Sequence, residues 1–195
     1  MRTRAIGFVL AVLLVASCVV QAGEPVKAYK NLIFGESKNE TNKMIMADKS
    51  LSGNVWACLT KVGSEQYGVE CEFDNDRLYL VRLTANFLFS PRIYNIAYFE
   101  KALDEAETLR DVIEAQYGEP HEVVDISCIS PKDGQIAYRY AWNIDGVKIV
   151  TIGVARQQYN YWAVMTIGYI PILTEIASMK AQEKEEQITG SAKDF

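Results

Sequence analysis

A long helical stripe near the middle of the chain separates two stretches of alternating apolar and polar residues, and this division narrows the folds open to it. From about Tyr94 to Tyr117, apolar side chains recur at intervals of three and four residues, which places them along one side of a helix. Gly118 favours a left-handed end to that helix, and Pro120 prevents its resumption. The sequence therefore predicts an amphipathic helix whose apolar side packs against another element.

Strands and one short helix are predicted before the long helix. Ser37 can cap the free backbone N–H groups of the short helix, and Glu40 follows three residues later, as in a capping box. The acidic stretch Asp74-Asn75-Asp76 lacks the spacing of an EF-hand loop, so we expect a turn there rather than a calcium site. The three strands predicted in this half are 53–61, 67–73 and 77–86.

The clearest hairpin signal follows the long helix. Asp145-Gly146 suits a two-residue type I′ turn between strands 136–143 and 147–156. With Ile144 facing Val147, the expected cross-strand pairs are Trp142 with Ile149, Tyr140 with Thr151 and Tyr138 with Gly153. A further strand, 161–170, completes a second meander.

These elements predict an α+β fold in which antiparallel meander sheets pack against the long amphipathic helix. Two tandem helix-plus-meander units, about 30–90 and 91–171, are one arrangement of it within a single domain of residues 23–183. The last helix is expected to end near Glu183, and residues 184–195 are predicted to form a charged, flexible tail.

The first 22 residues are predicted to be a cleavable secretory signal. Arg2 and Arg4 give a positive start, and the apolar run of ten residues that follows is too short for a membrane span, which needs about 20. Cleavage after Ala22 would give a periplasmic or secreted protein. Val15-Ala16-Ser17-Cys18 instead resembles a lipobox, in which a lipidated Cys18 would tether the protein to a membrane. The apolar residues after Cys18 favour cleavage after Ala22 over lipidation at Cys18, and both possibilities stay open.

Removal of this leader makes the chain more acidic. Two arginines and no acidic residue are lost, so 18 basic and 25 acidic residues remain, a net charge of −7. A surface of that charge repels phosphates, which argues against a nucleic-acid partner.

Three cysteines follow the predicted signal, and export to an oxidising compartment makes a disulfide plausible. If residues 63–66 form the hairpin loop, counting outward along both strands sets Cys58 opposite Cys71, at a separation that suits a disulfide. We therefore predict a Cys58–Cys71 bridge, with two buried free thiols as the alternative. Cys128 is most simply a buried thiol.

Two local patterns resemble those of bacterial envelope proteins built from tandem helix and antiparallel-sheet units. They are the Phe34-Gly35-x-Ser37-x-x-Glu40 opener and the Tyr117-Gly118-Glu119-Pro120 helix end, which a tryptophan-bearing strand follows. The layout is similar to the β-lactamase-inhibitor protein and the small outer-membrane assembly lipoproteins over about residues 30–170, with identity at about ten positions. Since proteins of that kind are mostly protein-binding modules, the resemblance implies a role in recognition.

The sequence carries no recognisable catalytic motif. His121 is the single histidine, and its place after a proline turn is typical of a surface residue. Nucleophile elbows, zinc-binding helices and glycine-rich phosphate loops are missing, so we predict no catalytic residue, no metal ligand and no cofactor. Glu70 and Glu72 could serve acid–base hydrolysis, but the solvated face of a hairpin explains them without any chemistry.

Aromatic residues in expected loops are the candidate binding residues, because Tyr and Trp dominate binding hot spots. These are Phe87 and Phe89 before the long helix, and Tyr159, Tyr161 and Trp162 at a hairpin tip. The alternative is that they fold back onto the core. The sequence thus predicts a non-catalytic extracytoplasmic binding protein with a protein partner in the cell envelope. A carrier of a small apolar ligand between sheet and long helix, and a hydrolase using acidic residues, are the alternatives.

Overall fold

Eight antiparallel strands form one sheet in the computed structural model of the protein, which describes residues 24–85, 96–126, 131–158 and 160–192. The helices are α1 (Lys38–Ala47), α2 (Ile96–Tyr117) and α3 (Ile170–Ala192). The strands are β1 (Leu51–Asn54), β2 (Ala57–Val62), β3 (Glu65–Asp74), β4 (Arg77–Ala85), β5 (Glu122–Val123), β6 (Gln135–Ile144), β7 (Lys148–Gln157) and β8 (Asn160–Tyr169).

The strand order is β1-β2-β3-β4-β8-β7-β6-β5, and it confirms the predicted α+β fold. Each meander is paired in chain order, and the two join edge to edge because β4 pairs antiparallel with β8. One helix precedes each meander, which is the order expected for two successive helix-plus-meander units.

Several predicted features lie outside the described residues. They are the signal segment with Cys18, the aromatic residues Phe87, Phe89 and Tyr159, and Cys128. Their roles stay predictions.

Local signals set the ends of the first two helices as predicted. Ser37 caps α1, since its Oγ accepts a hydrogen bond from the backbone N–H of Glu40 at 3.2 Å. Gly118 ends α2 with a φ of 79°, and its N–H donates to the Glu114 carbonyl at 2.8 Å. The capping residues therefore fix where the chain turns from helix into loop.

The core lies between one face of the sheet and α2, which packs mainly against β8 and β7. The apolar stripe of α2 is buried there through Phe99, Ala102, Ala106, Leu109 and Ile113. Alternate side chains of the central strands meet it, among them Val81, Leu83, Ile152, Met165 and Ile167. Each large side chain buried in this way stabilises the fold by roughly 1.5–3 kcal/mol.

The predicted Cys58–Cys71 disulfide is wrong, because the β2–β3 loop is shorter than expected. Only Gly63 and Ser64 form it, with Gly63 at a φ of 61°, so that Val62 pairs with Glu65. The register is thereby displaced by two residues, and Cys58 lies opposite Val69. Cys71 lies farther along β3, and both cysteines are free thiols.

The β6–β7 turn has the predicted conformation, but the strands beyond it do not have the predicted register. Asp145 and Gly146 have φ angles of 53° and 69°, as a type I′ turn requires. In the ladder, however, Ile144 pairs with Lys148, which leaves Val147 as an extra residue. A displacement of one residue exchanges the two faces of a strand, so the predicted pairs of Trp142 and Tyr140 are wrong.

A second irregularity restores the predicted pairing farther along β6. The register shifts again between Tyr138 and Tyr140, and Tyr138 faces Gly153 as expected. Trp142 faces Val150 on the helix-covered side, where it is 1% exposed and donates from Nε1 to the Gly118 carbonyl at 2.8 Å. The extra residue Val147 therefore decides which β7 side chains lie under α2.

Helix α3 begins on the face of the sheet that α2 leaves uncovered, since the Leu173 side chain lies over Gly168, whose Cβ position is on that face. Ile172 is buried, and Arg77 forms an ion pair with Glu175 at 2.7 Å. The helix continues past Glu183, where the sequence predicted its end, to Ala192. None of the helices within the described residues combines the length and apolar composition that a membrane span needs.

Candidate functional site

The structure places the two described candidate aromatics, Tyr161 and Trp162, on opposite faces of β8. Neighbouring residues of a strand point to opposite sides of the sheet, so the predicted hairpin-tip cluster is divided. Tyr161 packs edge-on against Phe99, with ring centroids 5.4 Å apart, and the Arg156 guanidinium lies 5.5 Å from its ring. Tyr161 thus packs onto the core, which was the alternative to a binding role that the sequence left open for these aromatic residues.

Trp162 lies on the other face, which we call the open sheet face and define by Trp162, Glu70, Arg82, Thr84 and Ala155. These residues line a shallow groove of about 310 Å³. The indole is half-buried, so part of it is available to a partner.

The acidic pair considered for hydrolysis also lies on the open sheet face and is bound by an arginine. Arg82 contacts Glu70 at 3.2 Å and Glu72 at 2.6 Å. The Tyr79 hydroxyl donates a hydrogen bond to the Glu72 carboxylate at 2.8 Å. Burial is the main cause that raises the pKa of Tyr79 to about 12, and the hydrogen bond to Glu72 is the second. Both carboxylates are therefore engaged by neighbouring side chains.

A larger cleft opens on the opposite side of the sheet, between β7–β8 and the C-terminal half of α2. We call it the helix–sheet cleft; its volume is about 580 Å³. Apolar side chains from the helix and from the strands line its interior, namely Leu109, Val112, Ile113, Val150, Met165 and Ile167. The chain before α1 and the start of the β2–β3 loop form its remaining wall.

The rim of the helix–sheet cleft is cationic. Four lysines, Lys27, Lys30, Lys61 and Lys148, line the cleft together with the tyrosines Tyr29 and Tyr117, and no Asp or Glu of the described part of the chain does. Three different parts of the chain supply these lysines: the segment before α1, strand β2 and strand β7. The fold, rather than a local sequence motif, therefore brings these four lysines together.

Lys148 is the most enclosed of the four, at 9% exposure. Its Nζ donates to the Tyr117 hydroxyl at 3.0 Å and to the Lys27 carbonyl at 3.4 Å, and it lies 4.9 Å from the centroid of the Tyr117 ring. Among the described residues, no carboxylate lies within ion-pair distance of this ammonium.

Sequence reasoning missed this role of Lys148 because it depends on the register of β7. In the predicted register Lys148 would lie on the face away from Trp142, whereas the extra residue at Val147 turns it toward α2. A polar residue at the start of an otherwise apolar run was the only signal available.

The single histidine has a structural position at the sheet surface. His121 is exposed, and its Nδ1 accepts a long hydrogen bond of 3.4 Å from the Asn143 backbone N–H. Within the described ranges, no three His, Cys, Asp or Glu side chains come close enough together to hold a metal ion.

The candidate functions rest on the geometry of the helix–sheet cleft and of the open sheet face. No protein-family model matches the chain, and no curated protein or solved structure shows significant similarity to it.

Proposed function

We propose that this protein is a non-catalytic binding protein that carries a small ligand, with the apolar part of the ligand held in the helix–sheet cleft. The observation that carries the proposal is the cleft itself, whose volume of about 580 Å³ lies within the range of small-molecule sites, roughly 300–1,000 Å³. Its interior is lined by aliphatic side chains with a few polar groups at the edge, which is the usual composition of such sites.

The mouth of the cleft supports the same function. Val112 is 44% exposed on α2 at this point, although it is an aliphatic residue on an amphipathic helix. An apolar ligand that covered Val112 would remove that surface from water, at roughly 25 cal/mol per Å².

An extracytoplasmic location is part of the proposal and rests on the predicted signal segment. A carrier in the cell envelope would meet its ligand outside the cytoplasm, either free or tethered through Cys18. Intact mass spectrometry of the mature protein tests this part, because cleavage after Ala22 and lipidation at Cys18 give different masses. A chain that retained Met1 would contradict both forms.

Binding of an uncharged fluorescent probe, N-phenyl-1-naphthylamine, tests the site directly. We expect a saturable rise in fluorescence with the wild-type protein and its loss in Val112→Trp, where the indole fills the mouth of the cleft. Ala115→Trp is the matched control, since Ala115 is exposed on the same helix and does not line the cleft. Equal binding by the wild type and both variants would reject the cleft as the site.

Protein recognition by the open sheet face is a second candidate. The observation that favours it is a half-buried tryptophan, Trp162, beside a groove that also holds Arg82, since Trp and Arg are enriched in binding hot spots. The partner would be another protein of the envelope. Crosslinking in envelope extract with wild type and Trp162→Ala tests it, and an identical pattern from both would reject this face as the contact.

A further inference from the structure

We propose that the helix–sheet cleft selects amphipathic anions, with an apolar chain inside the cleft and a negatively charged head group at the lysine rim. This inference rests on the proposed function and adds the chemical class of the ligand. Its basis is the position of the charges around the cleft.

The charge at the rim is opposite to that of the protein as a whole. The chain has 25 acidic and 20 basic residues, yet the residues that the structure describes line the cleft with four lysines and no carboxylate. A concave site lined by one sign of charge raises the local concentration of ligands of the opposite sign. The rim therefore attracts anions to a protein that otherwise repels them.

Lys148 supplies the strongest part of the argument. Lys148 is 9% exposed, and the two groups that accept hydrogen bonds from its ammonium, the Tyr117 hydroxyl and the Lys27 carbonyl, are both uncharged. A partly enclosed ammonium gains more from a charged acceptor than from a neutral one, and an anionic oxygen at the rim would supply such an acceptor. The Tyr117 hydroxyl is then free to donate to the same head group.

The other three lysines lie around Lys148, and their side chains differ in how freely they can move. Lys27 and Lys61 are exposed, so their side chains can swing toward a bound head group. The Lys30 Nζ donates to the Ser50 carbonyl at 3.1 Å and also interacts with the Asp48 carboxylate, so it contributes less charge to the rim than the other lysines do. A carboxylate or a phosphate monoester on an apolar chain has the chemistry that this arrangement recognises.

Displacement of N-phenyl-1-naphthylamine by matched ligands tests the head group. Dodecanoate and dodecyl phosphate are compared with dodecanol, which has the same chain and no charge, at a pH where both anions are ionised. We expect the anions to displace the probe at lower concentrations than dodecanol does, and the difference to shrink as salt is added.

Variants at the rim separate charge from shape. Lys148→Met retains most of the side-chain volume and should lower the affinity for dodecanoate roughly tenfold to a hundredfold, with little change for dodecanol. Lys27→Gln with Lys61→Gln provides a second test at exposed positions, where folding is not at risk. Lys132→Gln is the control, because it removes one positive charge from an exposed site away from the cleft.

Each result has a distinct meaning. If wild type binds the probe but dodecanol and dodecanoate displace it equally, the anion preference is wrong while the carrier function stands. If inorganic phosphate alone displaces dodecanoate, the rim is a simple anion site and the amphipathic proposal is overturned. If wild type does not bind the uncharged probe, both proposals fail.

Discussion

Two glycines in the sheet allow a sharp test of how closely the central strands are packed. Gly153 lies in β7 opposite Tyr138, and Gly68 lies in β3 opposite Thr84. Neither glycine has a positive φ, so alanine suits the backbone conformation at both positions. The two Gly→Ala substitutions therefore differ in the space around the new methyl group.

The surroundings of the two positions give the expected magnitude. At Gly68 the nearest atom to an added Cβ is the Thr84 carbonyl oxygen at 4.0 Å, so Gly68→Ala should be neutral or stabilise by about 0.4–1 kcal/mol. At Gly153 the Cβ would collide with the Ala137 carbonyl oxygen and lie 2.7 Å from the Tyr138 Cα. Overpacking costs about 1–3 kcal/mol, and backbone yields less readily than a side chain. We expect a difference between the variants of about 1–4 kcal/mol.

Urea denaturation followed by circular dichroism measures this difference. With an m-value of about 2 kcal/mol per M, the midpoint of Gly153→Ala should lie about 0.5–2 M below that of Gly68→Ala. Equal midpoints would show that β6 does not approach β7 as described and would refute the irregular register between Tyr138 and Tyr140. The displaced register ends at this irregularity and begins at Val147, where it turns Lys148 toward α2, so the result bears on the proposed site.

Three further predictions concern thiols, tyrosines and a helix cap. Burial raises the pKa of the Cys71 thiol to about 12 and also raises the pKa of the Cys58 thiol. Iodoacetamide at pH 8 should therefore label neither cysteine until urea is added. Rapid labelling of these two cysteines in the native protein would contradict this. Burial raises the pKa of Tyr67 and Tyr79 to about 12, above the ordinary value of 10.0, so the native state favours the protonated phenols. Their contribution to stability should be complete below about pH 10 and lost as the pH rises toward 12, and urea midpoints that did not fall across this range would contradict it. Ser37→Ala should lower the free energy of unfolding by about 0.5–2 kcal/mol, and an unchanged urea midpoint would show that the cap is dispensable.

The sequence was most informative where a single residue determines the backbone. Ser37, Gly118 and the Asp145-Gly146 pair each act through local geometry, and each holds the position expected of it. The long amphipathic helix was equally accessible, because its apolar stripe is a repeated pattern rather than a single contact.

The register of the strands was harder to predict from the sequence, because one or two residues more or fewer in a loop change every cross-strand pair of the hairpin. The two-residue loop at Gly63-Ser64 separated Cys58 from Cys71, and the extra residue at Val147 turned Lys148 toward α2. The candidate site was missed for the same reason. Lys61 and Lys148 lie on strands from different meanders, and no local signal specifies that β4 and β8 bring those meanders together.

The joining of the two meanders also determines what the borders of the sheet offer to other molecules. Because the last strand of each meander lies in the middle, the first strands are outermost: β1, with four residues, and β5, with two. Strands this short present few unpaired amide and carbonyl groups that could recruit a strand from another chain. Pairing with another chain is thereby limited at β1 and β5 themselves, whereas β5 pairs with only Tyr140 and Ala141 of the ten-residue strand β6, so the rest of β6 is where an added strand would find most backbone groups.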